Sequence, residues 1–387
     1  MHPKSARELV NLQSLNKKLQ PQRSQSSRRD EKKSGLSVVR LLTILIQQLG
    51  GRMKKMAYLI TALTFSVTSI YGVTLVGTTG AQFLKIGVGS RASAMGGAFV
   101  GMADDATSLY WNPAGSALLE EKQLSTTLTP WLAGTNFNFV AFTLPVRNIG
   151  TIGVSVISLS MDDMEVRTIE EPEGTGIYFG AGDYALGLSY ARAMTDRFSF
   201  GLTGKYIQQK IWLMHTSSFA VDAGLLYRTE FRNLRLGMSI SNFGPKLNLS
   251  GDNTKIEHAI TDWQEEWNVG FIGDLRTGQF VLPLRFRVGI AMDLLKVGDT
   301  RLTVATDAVH PNDNVEYINL GSELSLKEKY FLRAGYKSLF MKDSEEGFTA
   351  GGGIRQDIQN WTIDIDYAYA DFGRLGFVNR LSVGVRF

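Results

Sequence analysis

The chain has 387 residues, 20% of them charged and 44% hydrophobic, with a formal net charge of +4. It is too apolar for a disordered polymer and too charged for a polytopic helical membrane protein. The sequence has no cysteine, which excludes disulfides, thiolate metal sites and cysteine nucleophiles, and its 4 histidines leave little material for imidazole chemistry.

The charge is unevenly placed. Residues 1–52 carry 11 Lys and Arg against 3 Asp and Glu, a net of +8, whereas the remainder carries 30 against 34, a net of −4. The basic character therefore belongs to the head, and no nucleic-acid partner is expected. Residues 1–52 read as a disordered basic extension. At Met53 a new pattern begins. Lys54 and Lys55 precede a short uncharged run, Met56 to Ile70, with the small Gly72 after it. Residues 53–72 have the layout of a secretory signal peptide and are shorter than a spanning helix. The economical reading is that translation starts at Met53 and that 1–52 is a mis-assigned extension.

Residues 73–121 are rich in small residues around Ala92 to Gly101, which lets backbone pack against backbone. Asp104 and Asp105 are expected to cap a short helix through Tyr110. Asn112 before Pro113 reads as an N-cap followed by proline at the first helical position, opening a helix through Leu119. Such a compact piece suits a plug in a barrel lumen.

From residue 122 to 387 the dominant period is two. Phe219, Val221, Ala223, Leu225 and Tyr227 alternate with Asp222 and Gly224. Phe286, Val288, Ile290 and Met292 alternate with Arg285, Arg287 and Asp293. Trp361, Ile363, Ile365 and Tyr367 alternate with Thr362, Asp364 and Asp366. The strands run to about ten residues, the length a tilted strand needs to cross a bilayer. Tyr and Trp gather at strand ends, and short connections (147–150, 194–197) alternate with long ones (162–181, 244–282), the outer-membrane pattern. Fifteen candidate strands are visible, but single-chain barrels close with even numbers. The alternation of short and long connections removes 266–276, placing it inside one long external loop. The expectation is an all-β fold: an outer-membrane antiparallel barrel of fourteen strands with a small Gly-rich helical plug.

Two stretches carry a family resemblance. SRASAMGGAFVGMADDATSLYWNPAG (90–115) resembles the N-terminal signature of the PorV/PorQ outer-membrane family. DAVHPNDNVEYINLGSELSL (307–326) with DSEEGFTAGGG (343–353) is a second match. The family is similar in turn to the FadL-like fatty-acid channels. The resemblance implies a fourteen-stranded barrel at the cell outer membrane and a hatch at Asn112, Pro113, Ala114 and Gly115. It also implies that the terminal Phe387 is a signal read by the barrel assembly machinery.

The densest polar cluster is Asp307, His310, Asn312, Asp313 and Asn314. Asp307 and His310 lie three apart, hence on opposite faces of a strand, which is poor for shared metal ligation. The cluster is therefore expected to be an external loop with Pro, Asn and Asp as turn residues. His215 and His258 fall in expected loops. No HExxH, GxSxG or phosphate-cradling motif occurs, so no catalytic residue, cofactor or metal is assigned. Two functions compete. One is a non-enzymatic partner module of type IX-like secretion or surface attachment, binding a translocon and exported proteins through loops 162–181 and 244–282. The alternative is a FadL-like channel for fatty acids or other hydrophobic small molecules, which the charged inward rows disfavour.

Overall fold

The computed structural model describes residues 77–259 and 270–387. The expected extension and signal peptide lie outside the described residues, as do Trp263, Glu265, Glu266 and Trp267 of the second long connection.

Fourteen antiparallel strands form the wall. They are β1 (Gln123–Pro130), β2 (Thr135–Val146), β3 (Gly150–Met161), β4 (Ala181–Thr195), β5 (Phe198–Ile211), β6 (Met214–Arg228) and β7 (Arg235–Phe243), then β8 (Arg285–Val297), β9 (Thr300–Pro311), β10 (Tyr317–Leu326), β11 (Tyr330–Leu339), β12 (Phe348–Ile358), β13 (Trp361–Asp371) and β14 (Phe377–Arg386). Each pairs with its sequence neighbours, and β1 closes on β14, with Leu124 opposite Val385. Closure removes both sheet edges, so every mid-wall N–H and C=O is paired without water.

Of the segment 266–276, the described residues 270–276 do stay out of the wall. Gly270–Asp274 pairs instead with Lys255–Ala259 inside the β7–β8 connection. His215, expected in a loop, belongs instead to β6, opposite Lys210.

The two faces of the wall differ as the alternation demands. The apolar rows point outward: Leu188 is 63% exposed and Phe219 66%. The alternate positions point inward and are small or polar, as at Ser189, Thr203, Asp222 and Ser239, all buried. Burying that outer surface in hydrocarbon contributes roughly 25 cal/mol per Å². Aromatic residues form two levels on it. Tyr184, Tyr206 and Phe219 lie in a chain of ring contacts near one end, and Trp361 stacks on Phe387 near the other, with ring centroids 5.2 Å apart. Two belts separated by an apolar band are the signature of a wall sitting in a bilayer.

Connections at the end that carries Phe387 are short throughout, as at 147–149, 196–197 and 359–360. The long connections, 162–180 and 244–284, both leave from the opposite end, along with some tight ones such as 212–213.

Candidate functional site

The lumen is occupied by residues 79–121. Inward-facing glycines of the wall show how close the approach is. A Cβ on Gly201 would lie 2.4 Å from Pro113 C, one on Gly237 2.2 Å from Val100 O, and one on Gly335 2.3 Å from Gly96 N. Only glycine leaves room for backbone at these distances. The segment contributes Phe99, Met95, Met102 and Leu109 to the main buried cluster, together with Phe137, Phe139 and Ile207 from the wall. The barrel is filled by its own N-terminal chain.

The helical content of that segment is smaller than expected. It holds α1 (Ser90–Ala94), α2 (Ser108–Trp111) and a 3-10 turn, Pro113–Leu118. The expected cap by both aspartates is corrected. Asp105 Oδ1 accepts from Thr107 N at 2.9 Å, but Asp104 turns away to Arg91, with Nη1 2.6 Å from its Oδ1. A charge-assisted bond to a guanidinium is stronger than a cap to a neutral amide. Burial alone would raise the Asp104 carboxyl, but Arg91 and then Arg235 outweigh it and hold it well below the usual carboxylate range.

Arg91 also ties the segment to the wall. Its Nε and Nη2 donate to the two carboxylate oxygens of Glu323 on β10 at 2.8 and 3.0 Å. Glu323 in turn accepts from Arg333 on β11 at 2.7 Å, and Arg333 reaches Asp366 on β13 at 2.5 Å. Nearby, Arg355 and Arg386 share Asp364. The ladder from Arg91 to Asp366 crosses four elements, α1, β10, β11 and β13, and each member would be an uncompensated buried charge without its neighbour.

Asn112 is fully buried. Its Nδ2 donates to Val100 O and to Leu225 O on β6, both at 3.0 Å, and its Oδ1 accepts from Ala114 N at 3.2 Å. It thus caps the turn and pins it to the wall. Pro113 starts that turn. A Cβ on Gly115 would lie 1.9 Å from Ala103 O, so this glycine is required by the fold of the segment.

The five residues of the polar cluster do not form one loop site. Asp307 lies on β9, facing inward and fully buried, where Oδ2 accepts from Phe99 N and Val100 N at 2.8 and 2.9 Å. His310, also on β9, faces outward and its Nδ1 is 3.0 Å from Glu316 Oε1. Alternation separates them, since an odd spacing on a strand inverts the face. Asn312, Asp313 and Asn314 do lie in the β9–β10 connection. Asn312 Nδ2 donates to Leu282 O at 3.0 Å, and Asn314 Oδ1 accepts from Val315 N at 2.8 Å.

Asp313 was underestimated by turn chemistry alone. Its carboxylate accepts from Thr79 Oγ1 at 2.7 Å, Gln82 Nε2 at 3.0 Å and Lys85 Nζ at 2.9 Å. Gly80 N adds a bond to Val281 O at 3.0 Å. Residues 79–85 are therefore held at the end where the long connections leave. Burial would raise the Asp313 carboxyl, but the three side-chain donors outweigh it and lower it from its ordinary value.

Sequence reasoning missed a third inner group, Lys205, Asp222 and Asn242. Lys205 Nζ lies 2.8 Å from Asp222 Oδ2, Asp222 Oδ1 accepts from Asn242 N at 2.8 Å, and Asn242 Nδ2 donates to Pro283 O. Asn242 has φ 66°, and β6 and β7 shift register beside it. The inward Lys–Asp alternation was visible; the bulge was not. Arg197 sits in the β4–β5 turn, paired to Glu230.

Among the described residues, two small cavities lie between the segment and the wall, of about 40 Å³ beside Arg91 and Asp366 and about 20 Å³ beside Arg380 and Trp111. These hold water-sized species. Among the described residues no cluster of His, Asp and Glu is arranged to hold a metal ion.

At the lower rim, Phe387 N donates to Lys122 O at 3.0 Å, Lys122 N returns a bond at 3.2 Å, and the Lys122 ammonium lies 5.7 Å from the Phe387 ring. The terminal residue thus completes the seam between β1 and β14.

A closed fourteen-stranded wall, apolar outside and packed with polar and glycine-lined contacts inside, is an outer-membrane-type β-barrel. The chain belongs to the family described as type IX secretion system protein PorV, whose sequence model matches residues 73–271. No curated protein matches it. Among solved structures, the CymD monoaromatic hydrocarbon channel is 13% identical with a TM-score of 0.50, over 78% of this chain and 96% of that one. A Pseudomonas aeruginosa FadL homologue is 11% identical with a TM-score of 0.47, over 81% and 99%. The Ralstonia pickettii toluene transporter TbuX is 14% identical with a TM-score of 0.47, over 78% and 97%. At such identities the likeness is one of fold.

Proposed function

We propose that this chain serves type IX secretion or surface attachment in the cell outer membrane as a non-enzymatic, partner-binding barrel. Its ligands in this reading are the protein components of a translocon and the exported proteins it passes on, with outer-membrane lipid around the wall. Membership of the PorV family supports the process. The observation that carries the binding role is the filled lumen. A channel for hydrophobic molecules needs an apolar space of a few hundred Å³, whereas the cavities between the segment and the wall are about 40 and 20 Å³ and lie beside ionic groups. That leaves the external connections as the surface on which the protein acts. In the same reading, Asn112 to Gly115 act as a structural anchor of the filled lumen, and Phe387 presents the last strand to the assembly machinery.

The test is affinity purification from outer membranes with the β7–β8 connection intact and with residues 252–278 replaced by a short Gly-Ser linker. Recovery of a translocon subunit or exported proteins, lost on replacement, is the expected result. Saturable fatty-acid binding by the refolded barrel, with no protein recovered, would favour the channel instead.

A further inference from the structure

The β3–β4 connection is a raised hairpin. Met164–Glu165 pairs with Tyr178–Phe179, and the pairing continues through Val166 N to Ile177 O at 2.8 Å and Thr175 N to Val166 O at 2.9 Å. Its foot is fastened to the β5–β6 turn, where Trp212 N donates to Gly180 O at 3.0 Å and the Phe179 and Trp212 rings lie 6.1 Å apart. Between hairpin, turn and the ends of β3 to β5 lies an open cleft of about 700 Å³. Tyr178, Tyr184, Trp212 and Leu213 supply its apolar lining, and Asp163, Asp183 and Lys210 its charged groups. The volume is in the range of ligand clefts.

Lipid does not account for this apolar surface. The outward rows of β3 and β5 turn polar from the level of Tyr184 onward, at Ser158, Ser160, Gln208 and Lys210, so the cleft starts at the Tyr184–Tyr206 aromatic level that marks the bilayer edge and opens away from the apolar band. Tyr178 is nevertheless 61% exposed and Ile177 58%. Contiguous apolar exposure bordered by polar groups marks an interaction site.

The hairpin decides what kind of partner fits. Residues 162–173 hold six acids, Asp162, Asp163, Glu165, Glu170, Glu171 and Glu173, against the single cation Arg167. Among the described residues none of the six is ion-paired. Their summed field repels phosphate-bearing lipid headgroups and attracts cations over about a Debye length, ~8 Å at physiological salt.

We propose that this cleft docks an extended cationic segment of a partner protein, with Lys or Arg side chains facing the hairpin acids and an aromatic or aliphatic side chain seated against Tyr178 and Trp212. The proposal rests on the reading of the external connections as the recognition surface and names the chemistry of what one of them takes. Aromatic anchors set affinity, and rim charges set encounter rate and salt dependence.

The full-length barrel in a neutral detergent provides the assay. The probe is a short fluorescent peptide alternating lysine and valine around one tryptophan, with a glutamate-for-lysine version as its counterpart. The cationic peptide should bind saturably, more weakly as salt rises, and at least ~10-fold more tightly than the glutamate version. Tyr178→Ala with Trp212→Ala should weaken it by ~10-fold or more. Glu170→Gln, Glu171→Gln and Glu173→Gln together should weaken it less and flatten the salt dependence. All variants are first checked for the heat-modifiable gel mobility of a folded barrel. Equal binding of the two peptides, or binding unchanged in both sets of variants, overturns the proposal. So does capture of anionic phospholipid vesicles in place of the peptide. The two readings separate cleanly. If affinity purification still recovers a translocon subunit while the peptide fails, the cleft assignment falls and the proposed function stands. If neither is recovered, both fall.

Discussion

Residues 79–121 and residues 162–180 both lie outside the barrel wall, and the protein treats them in opposite ways. The first is held by glycine contacts at 2.2–2.4 Å from a would-be Cβ, by the Arg91–Glu323–Arg333 ladder and by Asp313. The second is a hairpin fastened at its foot, with its acids unpaired among the described residues and its aromatic and aliphatic side chains exposed. The two differ in charge, with 6 charged residues among the 43 of the first and 7 among the 19 of the second. They differ too in what surrounds them: one is enclosed by a barrel that supplies ionic partners for Lys85, Arg91 and Asp104, and the other stands exposed with acids that are not ion-paired among the described residues. Stability is invested in the first, and surface is left available in the second.

Four measurements test that contrast. Gly335→Val has the largest expected effect, because its new side chain would meet the backbone of Met95 and Gly96. Neither is a movable side-chain tip, so the segment cannot seat. A loss of about 3 kcal/mol or more is expected for such overpacking, read as a collapse in the yield of heat-modifiable barrel. A normal yield would mean that the wall folds independently of its contents. Next is Arg91→Met, which leaves Asp104 with only Arg235 and Glu323 with only Arg333. Breaking one partner of a buried pair costs roughly 3–5 kcal/mol, so the denaturant midpoint should fall sharply. Adding Glu323→Leu and Asp104→Asn should restore part of it.

The third concerns the upper strap and acidity. The Asp313 carboxyl is lower in the folded protein than in an unfolded chain. Its contribution is therefore present above the ordinary aspartate pKa of about 3.9 and is lost as pH falls through the lower folded value. The three donors are together worth on the order of 1–3 kcal/mol. Hydrogen exchange at residues 79–85, taken relative to the intrinsic rate at each pH, should accelerate below about pH 4 and be unaffected between neutral pH and that point. In Asp313→Asn it should be fast throughout; an unchanged profile would remove the strap from the comparison. The smallest effect is expected from replacing hairpin residues 167–175 with a tight Gly-Asn turn, since no ion pair or buried contact among the described residues is lost. The unfolding midpoint should stay within measurement error, and a large drop would show that the hairpin is part of the folded core.

The wall was legible because its signal is local. A period of two sets each side chain on one face or the other, whatever the rest of the chain does. Phe219 to Tyr227 and Leu381 to Val385 could therefore be assigned from sequence, and closure to an even number fixed the count at fourteen. The same locality explains the errors. Asp307 and Asp313 looked like neighbours in one loop, but the strand runs on to Pro311 and carries Asp307 deep inside. Asp104 looked like a helix cap because its tertiary partner was unknown.

What the sequence determined by itself was the alternation, hence which rows meet lipid, and the small-residue character of the stretch that fills the lumen. Only the tertiary structure decided the partners. Arg91 and Glu323 are separated by 232 residues, and Thr79 and Asp313 by 234. No pattern along the chain can pair residues so far apart. Strand register and closure bring them together, and the cost of an unpaired buried charge then selects which groups must meet.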